Sequence, residues 1–307
     1  MKASQFFLRA LVVLACVAVL DVVCKPAMDA LRKVSLRTHP DNYEMTSYYG
    51  VEMATEEMLI LGASPATHHY IPAMLHDSLN LTVRNLGKDG AFLYCQICQM
   101  RLILERYTPQ YVIWDLNDDC LSHNLDWGDF IEIADYFPYR LNDFSEAIIR
   151  EMGPFQRVFL RSNLYRYNSK LPEYLFAFVS GRNSQLGYVP LPVEQSFSPE
   201  KTSNQVSENI HPLKVQLLEE VLRFCEEKGC HVILATSPRL ADDGVQQSEQ
   251  YETLCSIAQR LSIPYFNHHT DPRFFNDLSL FRDTDHLNER GAQRYTSCII
   301  EDLRTIL

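Results

Sequence analysis

A chain of 307 residues is long for one domain, yet an α/β sheet with insertions reaches this length as a single unit. An apolar share of 46% with 22% charged residues is that of a globular protein with a large core, which excludes a disordered chain. Twenty-eight basic against 39 acidic residues give a formal charge of −11, and this argues against a nucleic-acid partner, because phosphate backbones are held by clustered Lys and Arg.

The N-terminus departs from that average. "MKASQFFLR" carries Lys2 and Arg9, "ALVVLACVAVL" is uninterruptedly apolar, and Asp21 and "VVCKP" follow. The pattern is that of an export signal. Its apolar run is short beside the about 20 residues of a transmembrane helix, but no Ala-x-Ala cleavage pattern closes it. Residues 1–24 are therefore read as a signal anchor or a signal peptide, which puts the rest of the chain outside the cytoplasm, in the cell envelope, with the membrane as a partner through this segment. Lipidation at Cys16 and a buried helix of a cytoplasmic protein are the lesser alternatives. Residues 25–55 read as a connector.

From residue 56 short apolar runs alternate with amphipathic ones. "EMLILGAS" reads as a strand ending in small residues, "LTVRNLGKDG" as a second, and "YVIWDLND" as a third. Residues 91–107 have helical spacing. Later, "PLKVQLLEEVLRFCEEKG" is a helix with a glycine stop, "CHVILATSP" a strand, "EQYETLCSIAQRLS" a helix and "IPYFNH" a strand, and residues 289–305 make the last helix. Strands are expected at 57–61, 81–86, 111–116, 230–236 and 264–267. The alternation predicts an α/β fold with a doubly wound, mainly parallel five-stranded sheet. Residues 119–212 break the rhythm and read as an insertion after the third strand, so the expected domain runs over 56–307. The nine cysteines are scattered and form no disulfide framework. Cys95 and Cys98 lie in "AFLYCQICQMRLILERY", whose spacing makes them buried helix thiols, and no second pair completes a zinc site.

In an open α/β sheet ligands gather beyond the carboxyl ends of the strands. Four places there carry chemistry: Ser64 in "GASPATHHY", Gly90 in "NLGKDG", Asn117 in "DLND", and "DTDH", where Asp283 stands three residues ahead of His286. A serine hydroxyl becomes a nucleophile when an imidazole removes its proton, and a carboxylate fixes the tautomer of that imidazole. A glycine N–H and an asparagine amide can then hold the oxyanion. The alternatives are bland. Ser64 also fits a strand end or a helix N-cap. Gly87 competes with Gly90, or either glycine serves only the turn. His68 and His69 are candidate substrate contacts or members of a half-exposed helix face. Asp115, Asp118 and Asp119 could meet a cation but better fit a solvated strand end.

These blocks resemble the SGNH (GDSL-like) hydrolases. "LGAS" is similar to the nucleophile block with Ala63 where the family often has Asp; Gly90 matches the oxyanion glycine. Asn117 matches the asparagine of the Gly-x-Asn-Asp block, with Asp115 in place of its glycine, and Asp283 and His286 match the last block. The extended "HLNERGA" looks like the membrane-tethered branch that includes envelope polysaccharide acetyltransferases and the teichoic-acid D-alanyl transfer protein. The resemblance implies a flavodoxin-like SGNH fold with Ser64 as nucleophile, His286 as base and Asp283, rather than Asp285, as its orienting carboxylate. It implies an oxyanion site made by the N–H groups of Ser64 and Gly90 and the amide of Asn117, without metal or cofactor. The activity so implied is an esterase or O-acyl transferase for an acylated small molecule or glycan. The departures at Ala63, Pro65 and Asp115 motivate one alternative, a catalytically inactive SGNH-fold scaffold or glycan-binding protein. A cytoplasmic lipid or thioester hydrolase is a third.

Overall fold

The computed structural model describes residues 3–116, 120–122, 133–136, 139, 142–168, 170–193, 209–240 and 248–307. The chain opens with α1 (Ala3–Thr38) and α2 (Thr46–Glu52). The sheet follows: β1 (Met58–Leu61), α3 (Ser64–His69), α4 (Pro72–Leu79), β2 (Val83–Asn85), α5 (Leu93–Arg106) and β3 (Tyr111–Asp115). Four helices of the insertion are described, α6 (Asp143–Glu151), α7 (Gln156–Phe159), α8 (Asn163–Arg166) and α9 (Lys170–Ser180). The fold closes with α10 (Pro212–Glu227), β4 (His231–Thr236), α11 (Glu249–Arg260), β5 (Tyr265–Asn267) and α12 (Glu289–Leu303).

Each described strand pairs in parallel with its neighbours, in the order β2-β1-β3-β4-β5. That is the doubly wound order with its switch point beside β1. The strands are short apolar runs because both faces are covered. Alternate residues point to opposite sides. Leu59, Leu61, Val112, Trp114, Val232 and Leu234 enter the core under α5 and α10. Met58, Ile60, Ile113, Ile233 and Ala235 enter the one under α4 and α12.

The stretch 25–55 differs from the expected connector. Helix α1 continues through Pro26 to Thr38, and residues 46–52 are helical. The reason is packing. Met28 and Leu36 of α1 join Met45, Tyr48, Tyr167, Tyr174 and Ala177 in a third core, so the second half of α1 belongs to the folded body and is stabilised by the insertion. Arg32 is buried there and binds Glu52 at 2.9 Å. Ser184 and Asn183 hold the turn after α1 through Asp41 and Tyr43. The first half of α1, by contrast, is apolar and exposed.

Candidate active site

The segment after β1 turns sharply. Gly62 has φ +151°, and a Cβ there would lie 2.7 Å from both the Asp115 carbonyl oxygen and Ala66 Cβ, so the turn is restricted to glycine. Ala63 caps α3 and Ser64 is its first residue, with Pro65 in the first turn, where its missing N–H costs no helix bond. Ser64 is therefore not a cap. Its hydroxyl donates instead to His286 Nε2 at 2.7 Å.

His286 comes from a tight loop. Phe281 bridges Leu287 antiparallel, and Arg282 N–H donates to the His286 carbonyl at 2.8 Å. The Asp283 carboxylate accepts from the backbone N–H groups of Asp285 and His286 at 2.9 and 2.8 Å, and from His286 Nδ1 at 2.9 Å. One side chain thus folds the loop and fixes the ring. The next helix starts at once. Asn288 caps α12 by accepting from Gly291 N–H at 3.1 Å, and a Cβ on Gly291 would sit 2.1 Å from the Leu280 carbonyl oxygen. Asp285 points away and binds Arg239 at 3.1 Å.

The electrostatics follow from this arrangement. Burial pulls His286 down, but the hydrogen bond and charge of Asp283, with the charges of Asp285 and Asp89, outweigh it and raise the ring above the ordinary histidine value. Burial opposes ionisation of Asp283, and the hydrogen bonds from His286 and the loop amides prevail to hold the carboxyl below its usual range. The arrangement suits proton transfer between a hydroxyl and an imidazole.

The other predicted residues fall unevenly. Gly90 lies in the loop between β2 and α5 with φ +72°, in the left-handed region. The N–H of Gly87 donates to Asn85 Oδ1 at 2.8 Å. Asn117, Asp118 and Asp119 lie outside the described residues. Asp115 corrects the expectation of a solvated strand end: it is 1% exposed and accepts from the hydroxyls of Tyr70 and Ser237. The helix face carrying His68 and His69 is also buried rather than half-exposed. His69 is fully buried and its Nε2 accepts from Leu287 N–H at 2.9 Å; burial first, then repulsion from His286 and His68, keep the ring well below the ordinary value and neutral. It positions the His286 loop through Nε2, while its Nδ1 is buried without a hydrogen-bond partner among the described residues. His68 sits at 5.7 Å from the His286 ring, with Nδ1 on the Val189 carbonyl at 2.7 Å and Nε2 3.2 Å from Asp89. Both of its polar atoms are engaged within the chain.

Asp89 is the residue that sequence reasoning missed. It stands beside Gly90 in "GKDG", contacts His68, and its N–H donates to the Tyr43 hydroxyl at 2.6 Å. Nothing in the sequence links position 89 to positions 43 and 68; only its adjacency to the glycine gave a signal. Lys88, next to it, is buried and donates to Asp135 at 2.7 Å, which ties this loop to the insertion.

No family model matches the chain, and no curated protein matches it. Among solved structures, a candidate platelet activating factor from Streptococcus pneumonia aligns at 9% identity and a TM-score of 0.45, over 90% of this chain and 98% of that one. A protein from Lactobacillus plantarum aligns at 8% and 0.44, over 83% and 100%. A candidate acylhydrolase from Bacteroides fragilis aligns at 11% and 0.41, over 84% and 94%. Likenesses at this level bear on neither activity nor substrate.

Proposed function

We propose that the chain is an extracytoplasmic, membrane-tethered serine esterase or O-acyl-transfer enzyme of SGNH type, acting on the O-acyl group of a small molecule or glycan. The observation that carries the proposal is the unbroken hydrogen-bond chain from Ser64 Oγ through both nitrogens of His286 to Asp283, with 2.7 and 2.9 Å links. Both lie within the 2.6–3.2 Å reach that general-base catalysis requires. The tether is supported by the apolar, exposed first half of α1. The glycan is what the SGNH resemblance implies.

In the proposed reaction Ser64 Oγ attacks the ester carbonyl carbon while His286 Nε2 takes its proton. Asp283 holds Nδ1–H and stabilises the imidazolium. The oxyanion accepts from the N–H groups of Ser64 and Gly90 and from the Asn117 amide. Collapse expels the alcohol, which takes the proton back from His286, and leaves the acyl group on Ser64. Water or an acceptor hydroxyl then repeats the sequence, and the identity of this second nucleophile is the difference between hydrolysis and transfer.

The test is labelling of the folded full chain by a fluorophosphonate probe. Labelling that disappears in Ser64→Ala supports the reading. A folded chain that takes no label refutes it and favours the scaffold alternative.

A further inference from the structure

The described insertion carries an apolar surface that none of the three cores covers. In "GPFQRVFLRSNL" Phe155, Val158 and Phe159 are 68%, 56% and 50% exposed, and Leu164 is 39% exposed. Arg157 and Arg161, between them, are exposed as well. Large apolar side chains interleaved with arginines are the composition of a segment that lies in a bilayer interface, where apolar groups enter the acyl boundary and cations meet phosphates.

What covers this surface follows from where it is tied. The Asp21 carboxylate accepts from Ser162 Oγ at 2.6 Å and Leu164 N–H at 3.0 Å, and the Asp21 carbonyl accepts from Asn163 at 3.1 Å. Asp21 closes the apolar run of α1. From Ser4 to Asp21 the helix rises about 26 Å at 1.5 Å per residue, close to the ~30 Å of a hydrocarbon core. The α7–α8 segment is therefore held at the level where α1 leaves the apolar layer. On either side of this tie both segments are apolar and exposed, Phe155, Val158 and Phe159 on one and the first half of α1 on the other.

We infer that α7, α8 and the turn between them dock on the bilayer interface as a second contact beside α1, with Phe155, Val158 and Phe159 in the acyl boundary and Arg157 and Arg161 at the phosphates. This rests on the membrane reading of α1. Helix α9 leads away from that level. Tyr167 meets Asp29, the Tyr174 carbonyl meets Ser35, and Phe178 packs on His39, so the chain climbs α1 in register. Val179, 81% exposed, lies beside residue 39 and some 27 Å further along the helix, taking 1.5 Å per residue. It serves as an internal control. Two contacts would fix the tilt of the folded body and hold the Ser64 cleft in one orientation to the membrane.

The experiment uses the full chain in phosphatidylcholine–phosphatidylglycerol vesicles without bromine, with lipids brominated near the top of the acyl chain, which read positions 155, 159 and 179, or with lipids brominated near its end, which read position 13, about 12 Å from Asp21. Tryptophan fluorescence of Phe155→Trp, Phe159→Trp, Val179→Trp and Val13→Trp is compared with that of the parent chain. All four positions are exposed, so folding is retained. Docking predicts that the added signal of Phe155→Trp and Phe159→Trp loses about half its intensity to bromines within the 5–10 Å depth of an interfacial helix, while that of Val179→Trp is unchanged. Quenching of Val13→Trp without quenching at 155 and 159 overturns the docking and leaves the anchor standing. If Val13→Trp is not quenched either, the membrane reading fails and the inference with it. A blue-shifted but unquenched signal at 155 means that protein, such as a second copy, covers the face, and also overturns it. Equal quenching at 179 refutes the stated orientation.

Discussion

Replacing Asp283 by asparagine separates the role of its charge from that of its shape. The variant keeps an oxygen where the N–H groups of Asp285 and His286 donate at 2.9 and 2.8 Å, so the loop is preserved. His286 Nδ1 lies 2.9 Å from both Asp283 oxygens, so the variant puts an amide NH2 in place of one of its two acceptors and removes the charge. With an amide NH2 there the ring turns its acceptor toward residue 283 and its N–H toward Ser64, the tautomer that cannot take the hydroxyl proton. A loss of roughly a thousandfold to ten-thousandfold in turnover is expected from such a tautomer change, equal to about 4 to 5.5 kcal/mol at 1.36 kcal/mol per decade. A pH profile gives the second readout. His286 works as a neutral base, so activity rises with pH through its raised folded value. Asp283 supplies the largest of the raising influences, and without it burial dominates, so the acid limb moves to lower pH. Initial rates on any ester the parent chain cleaves measure both. Asp285→Asn should cost far less, because that carboxylate is engaged with Arg239. Equal losses in the two variants, or an acid limb that stays in place in Asp283→Asn, would refute the assignment.

Asp135 is 1% exposed and accepts from Lys88, Lys170 and the Tyr48 hydroxyl, so Asp135→Asn removes the buried carboxylate that two buried ammonium groups share, Lys170 keeping Glu173 at 2.9 Å, and should cost about 3–5 kcal/mol in denaturant unfolding. Burial works against its ionisation but the two lysines hold its carboxyl low, so its contribution is present above the ordinary aspartate value and fades as pH falls below about 4; a variant with the same acid sensitivity as the parent would contradict this. Gly62→Ala forces a side chain into a +151° backbone and onto the Asp115 carbonyl, and should lower stability by about 1–3 kcal/mol while displacing Ser64; an unchanged melting temperature would argue against it. Cys95, Cys98, Cys120, Cys225, Cys230 and Cys298 are buried, and burial pushes the Cys98 thiol up to about 12, so a thiol reagent should leave these six unmodified in the folded chain while the half-buried Cys255 reacts.

The sheet was legible because each strand is a short apolar run with both faces covered, and all five described strands fall within a residue or two of the expected spans. The "DTDH" loop was legible because its hydrogen bonds span only two or three residues. What escaped the sequence is long-range. Pro26 ordinarily ends a helix, and α1 runs on through it because residues 167–177, some 140 positions away, cover its far half. The burial of His68 and His69 depends on Val189 and Leu287, and that of Asp115 on Ser237. None of these partners leaves a trace in local periodicity.

If α1 is the proposed tether, its double character decides where a cut would release the folded body intact. Cleavage between the Thr38 end of the helix and β1 would strip Met28, Arg32 and Leu36 from the third core and free the insertion that rests on them. It would also sever the turn holding Tyr43 against Asp89, beside Gly90. A protease that cuts there destroys the domain in releasing it. One that cuts near Cys24 or Lys25 frees a body with its core whole, so sheddable and intact forms differ by the fate of about fifteen residues, roughly four helical turns.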